Sequence, residues 1–401
     1  MTTAVLLALR GPIEAEVATA LARRREFVVA RRCVDLAEAI AAAAAGVGAV
    51  AVVSDQPRLD RAVVRAFAKS RVAVVGVPSG VEAATRMLGL GVATVVPPGA
   101  SADEVVAAVD DAVRVVPDEP TPDESAPEAA GHVVAVWGPT GAPGRTTLAV
   151  NLAAETARAT GSVLLVDADT YGGAVAQALG LVDEAPGIAA VARAALQGGG
   201  IGDAIRRHAV EVAPGLRVLS GLSRPARWRE LSAAALEPTW ATLRAEAALT
   251  IIDCGFGVEA DGGVGVGAGR NDAALSALGA ADLIVVVGAS DPLGIQRLVQ
   301  ALSDLGDLTD VKAPRLVVAN RVRSSVSGAR PANAVADVLA RFAAVPEVWI
   351  VPDDPKACDA ATLAGRALAE RSPHSPARRA IEAIAKRVLA DVSALAPVAT
   401  G

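Results

Sequence analysis

The sequence predicts an α/β protein made of two consecutive parallel sheets, and three observations support this prediction. Short, continuous apolar runs alternate with helical apolar patterns along most of the chain, as expected for strands that are covered on both faces of a parallel sheet. A stretch rich in proline and acidic residues, 116–131, divides this pattern into two parts. A Gly/Pro-rich loop joins the first strand of the second part to a helix.

The composition excludes several classes of protein. The chain has 401 residues, 52% of them hydrophobic but only 2% aromatic, and a net charge of −6. This hydrophobicity excludes disorder, and the few aromatics argue against a surface that stacks nucleic-acid bases. The longest apolar stretch, 39–53, is shorter than the roughly 20 residues of a membrane-spanning helix. The N-terminus has no basic region before its apolar run, so we expect no signal peptide. The three cysteines, Cys33, Cys254 and Cys358, are far apart and odd in number, which fits a protein of the reducing cytoplasm.

The first predicted domain comprises residues 1–114 and alternates five strands with five helices. This order predicts a doubly wound, flavodoxin-like parallel sheet. The predicted strands are Ala4–Leu9, Phe27–Ala30, Ala49–Ser54, Val72–Pro78 and Ala93–Pro97. The predicted helices are Ile13–Arg25, Leu36–Ala45, Leu59–Lys69, Val81–Leu88 and Ala102–Val113.

A linker, 115–131, leads to the second predicted domain at 132–393, and a tail, 394–401, ends the chain. The second domain predicts a larger parallel sheet with helices between its strands, interrupted by a flexible Gly-rich insertion at 262–269. Its predicted strands are His132–Trp137, Ser162–Asp167, Leu216–Ser220, Ala248–Asp253, Leu283–Gly288, Arg315–Asn320 and Glu347–Val351. The predicted helices include Thr146–Thr160, Leu293–Leu305 and Ala332–Phe342.

The loop after the first strand of this domain is the strongest motif. It lies in the segment VVAVWGPTGAPGRTTLAVNLA, which starts at Val133. Such a loop presents backbone N–H groups to a phosphate, and the dipole of the following helix favours the anion. The usual pattern is G-x-x-x-x-G-K-[ST]. Here Gly144-Arg145-Thr146 fills its end with Arg in place of Lys, and Gly138 stands one residue too early.

Polar residues end three further strands of the predicted sheet: Asp167, Asp253 and Asn320. The carboxyl ends of parallel strands share one edge, so these residues and the loop are expected to lie together. An acidic residue beside a phosphate loop can orient a water molecule or bind Mg²⁺.

The loop and these strand ends resemble the MinD/ParA family of P-loop ATPases over about residues 132–393. That family's loop reads K-G-G-x-G-K-[ST]. VLLVDADTYGGAVAQALGL is similar to its second acidic motif, and VPDDPKACDAATLAGRAL to its C-terminal region near the nucleotide base. The whole chain, with its receiver-like first domain, resembles the CpaE/TadZ branch. Members of that branch localise Flp (tight-adherence) pilus machinery, and an actinobacterial relative is described as septum site-determining.

The resemblance implies an ATP/Mg²⁺ site and assigns roles within it. Asp167 corresponds to the acid that positions the attacking water, and Arg145 occupies the place of the catalytic loop lysine. Thr146 and Asp253 correspond to the Mg²⁺ ligands, and Thr140 takes the place of the signature lysine. The nucleotide contacts that it implies are Gly138, Gly141, Gly144, Arg145, Thr146, Thr147 and Asn320.

Three departures bear on the activity. The planar guanidinium of Arg145 does not replace a compact ammonium, Thr140 carries no charge, and Pro143 lacks an N–H. Losing one donor to a developing charge costs about 10²–10³-fold in rate. We therefore expect nucleotide binding with weak or absent hydrolysis. The alternatives are a phosphate-loop fold that binds no nucleotide and an active ATPase in which Arg145 does the lysine's work.

The first domain resembles a response-regulator receiver, and Asp55, after its third strand, stands at the position of the receiver's phospho-acceptor aspartate. Leu9-Arg10 replace the expected acidic pair, and Pro97-Pro98 stand where a lysine is expected. Because little remains to bind Mg²⁺, we expect a pseudo-receiver that serves protein contacts rather than phosphorylation.

The partners implied are a second copy of the chain, in a homodimer, and proteins at a cell pole or septum. The last helix, Pro376–Val392, has an apolar face and basic flanks, yet we expect it to pack on the sheet rather than on a membrane. A rival interpretation is a chromosome-partitioning ATPase that binds DNA nonspecifically. The acidic net charge argues against it, although arginines at 206, 207, 224, 227 and 229 form local basic patches.

Overall fold

The computed structural model describes residues 2–56, 58–114, 131–141, 143–181, 186–259, 268–327 and 330–395. The predicted linker, apart from Gly131, lies outside these residues, as do most of the predicted Gly-rich insertion and most of the predicted tail. The chain divides into two compact units. Among the described residues, the first unit contains 2–114 and 193–200, and the second contains the others from 131 onward.

The first unit contains a five-stranded parallel sheet in the order β2-β1-β3-β4-β5, the flavodoxin-like order. Its strands are β1 Thr3–Ala8, β2 Phe27–Arg32, β3 Val50–Ser54, β4 Ala73–Val77 and β5 Thr94–Val95. Its helices are α1 Ile13–Ala22, α2 Leu36–Ala44, α3 Arg61–Lys69, α4 Val81–Gly89 and α5 Ala102–Arg114. Every predicted element is present, although β5 is shorter than predicted.

Local chemistry sets several helix starts in this unit. Asp35 and Asp60 precede α2 and α3, and each side chain accepts a backbone N–H from the first turn. Alternate residues of β1 enter two separate cores: Leu6 packs with α2 and α3, whereas Leu7 packs with α1 and α5. Both faces are therefore covered, which explains why the strands are continuously apolar.

The second unit contains an eight-stranded sheet in the order β13-β12-β11-β6-β10-β7-β9-β8. Its strands are β6 His132–Trp137, β7 Val163–Ala168, β8 Val210–Ala213, β9 Leu216–Leu219, β10 Leu249–Cys254, β11 Leu283–Ala289, β12 Arg315–Val322 and β13 Val348–Pro352. Its helices, besides a 3₁₀ helix at Pro225–Glu230, are α6 Arg145–Thr160, α7 Val175–Ala178, α8 Gly187–Leu196, α9 Ile201–His208, α10 Ala233–Glu246, α11 Asp272–Ala280, α12 Pro292–Asp307, α13 Ser324–Ser327, α14 Pro331–Ala343, α15 Pro355–Leu363, α16 Leu368–Arg371 and α17 Pro376–Leu395.

One strand of this sheet departs from the prediction. The seven predicted strands are present and parallel, but an eighth, β8, pairs antiparallel with β9 at the edge. Its four residues, VEVA, include the exposed Glu211 and three partly buried residues, so the sequence here lacks the continuous apolar run that marks the other strands. A tight hairpin with Gly215 at φ +75° joins β8 to β9.

The register of the central strands brings the acidic residues together. In the pairing of β10 with β7, Asp253 lies opposite Asp167, and in the pairing of β10 with β6 it lies opposite Val136. Paired strands are about 4.8 Å apart, so the two carboxyl groups are neighbours at the carboxyl edge of the sheet.

Helix α17 packs against the core of the second unit. Its apolar residues Ile381, Ile384 and Val388 are buried, and the Arg378 guanidinium pairs with both carboxylate oxygens of Glu155 on α6, at 2.6 and 2.9 Å. The apolar face seen in the sequence is thus occupied by the protein's own core. None of the helices within the described residues combines the length and the hydrophobicity that a membrane crossing requires.

Candidate functional site

The loop between β6 and α6 is shaped by glycines that tolerate no side chain. A Cβ on Gly138 would collide with the carbonyl oxygen of Val287 on the neighbouring strand β11. Gly141 and Gly144 have φ values of +98° and +93°, in the left-handed region that favours glycine. All three predicted glycines therefore have a structural reason to be there, and they bring the backbone close to the end of the sheet.

Helix α6 begins directly after this loop without a capping side chain. Gly144 is its N-cap residue, and no side chain accepts a hydrogen bond there. The predicted residues Thr146 and Thr147 lie half-buried in the first turn. A long helix whose first N–H groups lack a capping acceptor is a suitable site for an anion such as a phosphate.

The hydroxyl of Thr146 donates a hydrogen bond of 2.6 Å to Oδ2 of Asp253. Asp253 is fully buried, and its other oxygen, Oδ1, has no hydrogen-bond partner among the described residues. Burial, and after it the proximity of Asp167, raises the pKa of Asp253 well above the usual range of a carboxyl group. A buried carboxyl oxygen without a partner is costly, and a bound cation would both satisfy this oxygen and favour the ionised form of Asp253.

Asp167 faces backbone rather than the loop. Its two oxygens accept the N–H groups of Asp169 and Val175, at 3.2 and 3.1 Å. A Cβ on either Gly173 or Gly221 would collide with this carboxyl group, so it is tightly enclosed. Burial raises the pKa of Asp167 to about 7, although the two N–H donors act in the opposite direction.

Asp169, which the sequence analysis did not single out, is the acid nearest to the loop arginine. Its Oδ2 lies 3.7 Å from Nη2 of Arg145, and its Oδ1 accepts the N–H groups of Tyr171 and Gly172, at 2.8 and 3.2 Å. The only signal for it in the sequence is its place two residues after Asp167, which puts it beyond the strand end and over the edge of the sheet.

The guanidinium of Arg145 is turned back onto the protein. Nε donates to the carbonyl of Cys254 at 3.1 Å, and Nη1 donates to the carbonyls of Gly138 and Pro139, at 3.2 and 2.8 Å. The side chain is 11% exposed. Arg145 therefore lies where the sequence places it, but its Nε and Nη1 donors are bound to backbone carbonyls of the loop and of the end of β10.

Two further side chains brace the loop from neighbouring strands and helices. The amide of Asn320, at the end of β12, donates to the carbonyl of Pro143 at 2.7 Å. Arg297 of α12 was not singled out in the sequence, because it is one exposed arginine in an amphipathic helix. Its Nη1 would collide with a Cβ on Gly141, so the guanidinium lies directly against the loop.

Asp55, the candidate acid of the first unit, already has side-chain partners for both of its oxygens. Arg86 of α4 donates to Asp55 at 2.6 Å and also to the carbonyl of Leu59, and the hydroxyl of Ser79 lies 3.3 Å from the other oxygen of Asp55. Beside it, the buried Gln56 donates to the carbonyl of Ala8 at 2.8 Å. Asp55 is thus neutralised by a protein cation.

The donor set of the second unit suits Mg²⁺. A hydroxyl and a carboxylate with a free oxygen are ligands that this ion accepts, and Mg²⁺ completes its shell with water and substrate phosphates. No group of three or more His, Cys, Asp or Glu side chains in the described residues could hold a metal ion by itself. Thr146 and Asp253 would therefore hold Mg²⁺ together with a phosphate ligand. When bound, the Mg²⁺ ion would neutralise negative charge on the phosphates.

Together, the parallel sheet, the glycine loop, the uncapped helix and the Thr–Asp pair define a phosphate-loop nucleotide-binding domain. The chain belongs to the CbiA family, the CobQ/CobB/MinD/ParA nucleotide binding domain, which matches residues 134–362. No curated protein matches the chain in sequence.

Solved structures share this fold at low sequence identity. The septum site-determining protein MinD of Pyrococcus horikoshii, solved with Mg-ADP, is 18% identical with a TM-score of 0.53, over 65% of this chain and 98% of that one. A ParA family ATPase of Chlorobium tepidum is 16% identical with a TM-score of 0.53, and the match covers 65% of this chain and 99% of that one. MinD of Aquifex aeolicus, solved in a MinC:MinD complex, is 20% identical with a TM-score of 0.50, and the match covers 65% of this chain and 96% of that one. These likenesses show the MinD/ParA fold.

Proposed function

We propose that the protein is a nucleotide-dependent positioning protein that binds Mg²⁺-ATP and hydrolyses it slowly or not at all. The observation that carries the proposal is the Thr146–Asp253 pair at the start of α6, with its unsatisfied carboxylate oxygen. The uncapped first turn of α6 supports phosphate binding at the same place.

The conformation of Arg145 supports slow hydrolysis. A loop lysine accelerates phosphoryl transfer by bringing positive charge to the phosphates as negative charge develops there. Here the guanidinium is bound to the carbonyls of Gly138, Pro139 and Cys254, so moving it to a phosphate would break those bonds. Replacing Arg145 with Lys should therefore raise turnover by about tenfold or more.

Two acids are candidates for positioning the attacking water. The resemblance assigns Asp167, whose oxygens are occupied by backbone N–H groups. Asp169 has an oxygen directed at Arg145 and lies nearer the loop, so we propose it as the second candidate. Measuring turnover of Asp167→Ala and Asp169→Ala in the Arg145→Lys background would identify the acid that hydrolysis requires.

The cellular role proposed is placement of a septum or of Flp pilus machinery, through a homodimer that recruits polar or septal partners from the cytoplasm. Membership of the family and the shared fold with the septum site-determining MinD of Pyrococcus horikoshii support the septum. We propose that the first unit is a pseudo-receiver for protein contacts, because its flavodoxin-like sheet carries Asp55 already paired with Arg86.

The test is calorimetry of the full chain with ATP and ADP, each with and without Mg²⁺, together with steady-state turnover and the oligomer mass with and without nucleotide. We expect Mg²⁺-dependent binding, dimerisation with ATP, and turnover that rises in Arg145→Lys. No binding of either nucleotide would refute the proposal, and wild-type turnover that falls in Arg145→Lys would favour an active ATPase that uses its arginine.

A DNA-partitioning ATPase is the second candidate, supported by one surface feature. The 3₁₀ helix after β9 exposes Arg229, which stacks on Trp228 with 4.4 Å between the guanidinium carbon and the ring centroid, and Arg224 precedes it. Salt-dependent retention on DNA, lost in the double variant Arg224→Glu/Arg229→Glu, would support this candidate.

A further inference from the structure

We propose that Arg297 is the phosphate-binding cation of this site. It would supply from helix α12 the positive charge that the loop itself does not direct at a ligand. The inference rests on the proposed function, since it takes nucleotide as the ligand, and it assigns a residue that the sequence pattern of the loop does not contain.

The position of Arg297 follows from the order of the sheet. Strand β11 pairs with β6, so α12, which follows β11, starts beside the loop that follows β6. Side chains on a helix lean toward its N-terminus, and this direction carries Arg297 back toward the loop. Its guanidinium reaches Gly141, at the middle of the loop, where the absence of a Cβ makes room for Nη1.

The guanidinium of Arg297 has no partner among the described residues. It makes no hydrogen bond or ion pair with any described residue, and its side chain is exposed. Arg145, in contrast, donates three hydrogen bonds to backbone carbonyls and faces Asp169. Of these two guanidinium groups at the loop, Arg297 is therefore the one that has none of its donors bound to a described residue.

The surroundings of Arg297 favour an anion between it and the helix. The N-terminus of α6 carries the positive end of a helix dipole, and Arg145 stands at the same end. Asp169 faces Arg145, but no described acid forms an ion pair with Arg297, so a negative ligand between Arg297 and the start of α6 would be attracted by both. A guanidinium binds phosphate through two parallel N–H donors, so a nucleotide polyphosphate is the ligand class that fits.

This arrangement divides the polyphosphate between two ends of the loop. The Thr146–Asp253 pair would hold the Mg²⁺ side, and the N–H groups of α6 would hold the centre. Arg297 would hold the side of Gly141, which Thr140 leaves uncharged. Losing Arg297 should therefore weaken the binding of polyphosphates and leave the Mg²⁺ requirement intact.

The test is calorimetry of Mg²⁺-ATP binding to the full chain as wild type, Arg297→Ala, Arg297→Lys and Arg341→Ala. Arg341 is the matched control because it is an exposed arginine of the same unit, on α14. We expect Arg297→Ala to weaken binding by about 10- to 100-fold, since hydrogen bonds to charged groups are worth about 1.5–3 kcal/mol. The affinity of Arg297→Lys for Mg²⁺-ATP should lie between those of wild type and Arg297→Ala, and the affinity of Arg341→Ala should equal that of wild type.

The outcomes separate this inference from the proposed function. Wild type that binds no nucleotide refutes both. Wild type that binds, with Arg297→Ala of equal affinity, overturns only the role of Arg297. A weakening equal in Arg341→Ala and Arg297→Ala would show a general charge effect and would also overturn it. Thermal unfolding of each variant should be nearly unchanged, because neither side chain forms a hydrogen bond or ion pair with the described residues and the contact of Arg341 with the Phe342 ring lies on the exposed surface.

Discussion

Each sheet of this protein carries an aspartate just at or after the end of a central strand, and the two aspartates have opposite surroundings. Asp55 follows β3 and is paired with Arg86 at 2.6 Å, with both side chains partly exposed. Asp253 lies near the end of β10, is fully buried, and has only the hydroxyl of Thr146 as a partner for one of its oxygens.

The difference concerns where the compensating charge comes from. At Asp55 the protein provides the cation itself, so nothing in the pair requires a ligand. At Asp253 the protein provides no cation within hydrogen-bond reach among the described residues, and burial penalises the charge. Such a carboxylate is stable as an anion only with an external cation, which is why we place Mg²⁺ there. The same topological position is thus closed in one sheet and open in the other.

The largest expected effect is on the open site. Asp253→Asn should weaken Mg²⁺-ATP binding about 100-fold, or about 2.7 kcal/mol, because it removes the charge that faces the ion. Calorimetry with Mg²⁺ measures this, and Asp304→Asn, an exposed acid of α12, is the control. Equal affinity of Asp253→Asn and wild type would contradict the assignment of Asp253 to the metal.

The next effect is a pH dependence of the metal-free protein. Folded Asp167 keeps its proton up to about pH 7, whereas an unfolded aspartate loses it near pH 4. The folded state therefore binds more protons between these values, and its stability falls as the pH rises. We expect a loss of about 2 kcal/mol in unfolding free energy between pH 5 and 7 from this group.

Denaturant unfolding in EDTA measures this pH dependence. Asp167→Asn cannot titrate, so its stability should change less than that of wild type over the same interval. An identical slope in the two proteins would show that Asp167 titrates normally in the folded state.

A smaller effect is expected at the closed site. A double-mutant cycle with Asp55→Asn and Arg86→Met should give a coupling energy of about 1 kcal/mol, since the pair is partly shielded from water. The Arg114–Asp110 pair of α5 has a 71% exposed arginine and should give a smaller coupling. Denaturant unfolding provides both coupling energies. Equal values would show that the Asp55–Arg86 pair is no stronger than an exposed surface pair.

The last prediction is that Asp55 is not phosphorylated. Incubation with acetyl phosphate and Mg²⁺ should add no phosphate to Asp55, because Arg86 occupies its carboxylate and Leu9-Arg10 replace an acidic metal-binding pair. Intact-mass measurement checks this in wild type and in Arg86→Met. A gain of one phosphate mapped to Asp55 would make the first unit a working receiver.

Local patterns in the sequence were enough to predict most of the strands and many of the helices and to propose where the site lies. Continuous apolar runs marked the strands because both faces of each sheet are buried, and β8 was missed because its residues are only partly buried. The glycine loop and Thr146 were predicted from one short motif of phosphate-binding loops, and Asp253 was predicted from its own position at the end of an apolar strand. These signals are local, so one sequence is enough to read them.

The tertiary structure alone decided what the side chains face. The sequence places Arg145 in the loop, but three backbone carbonyls hold its guanidinium there. Asp167 and Asp169 look equivalent in the segment VDAD, but Asp167 lies within β7 and both of its oxygens accept backbone N–H groups, whereas Asp169 lies beyond the strand and one of its oxygens faces Arg145. Arg297 is more than 150 residues from Gly141 along the chain, and only the pairing of β11 with β6 brings it to the loop.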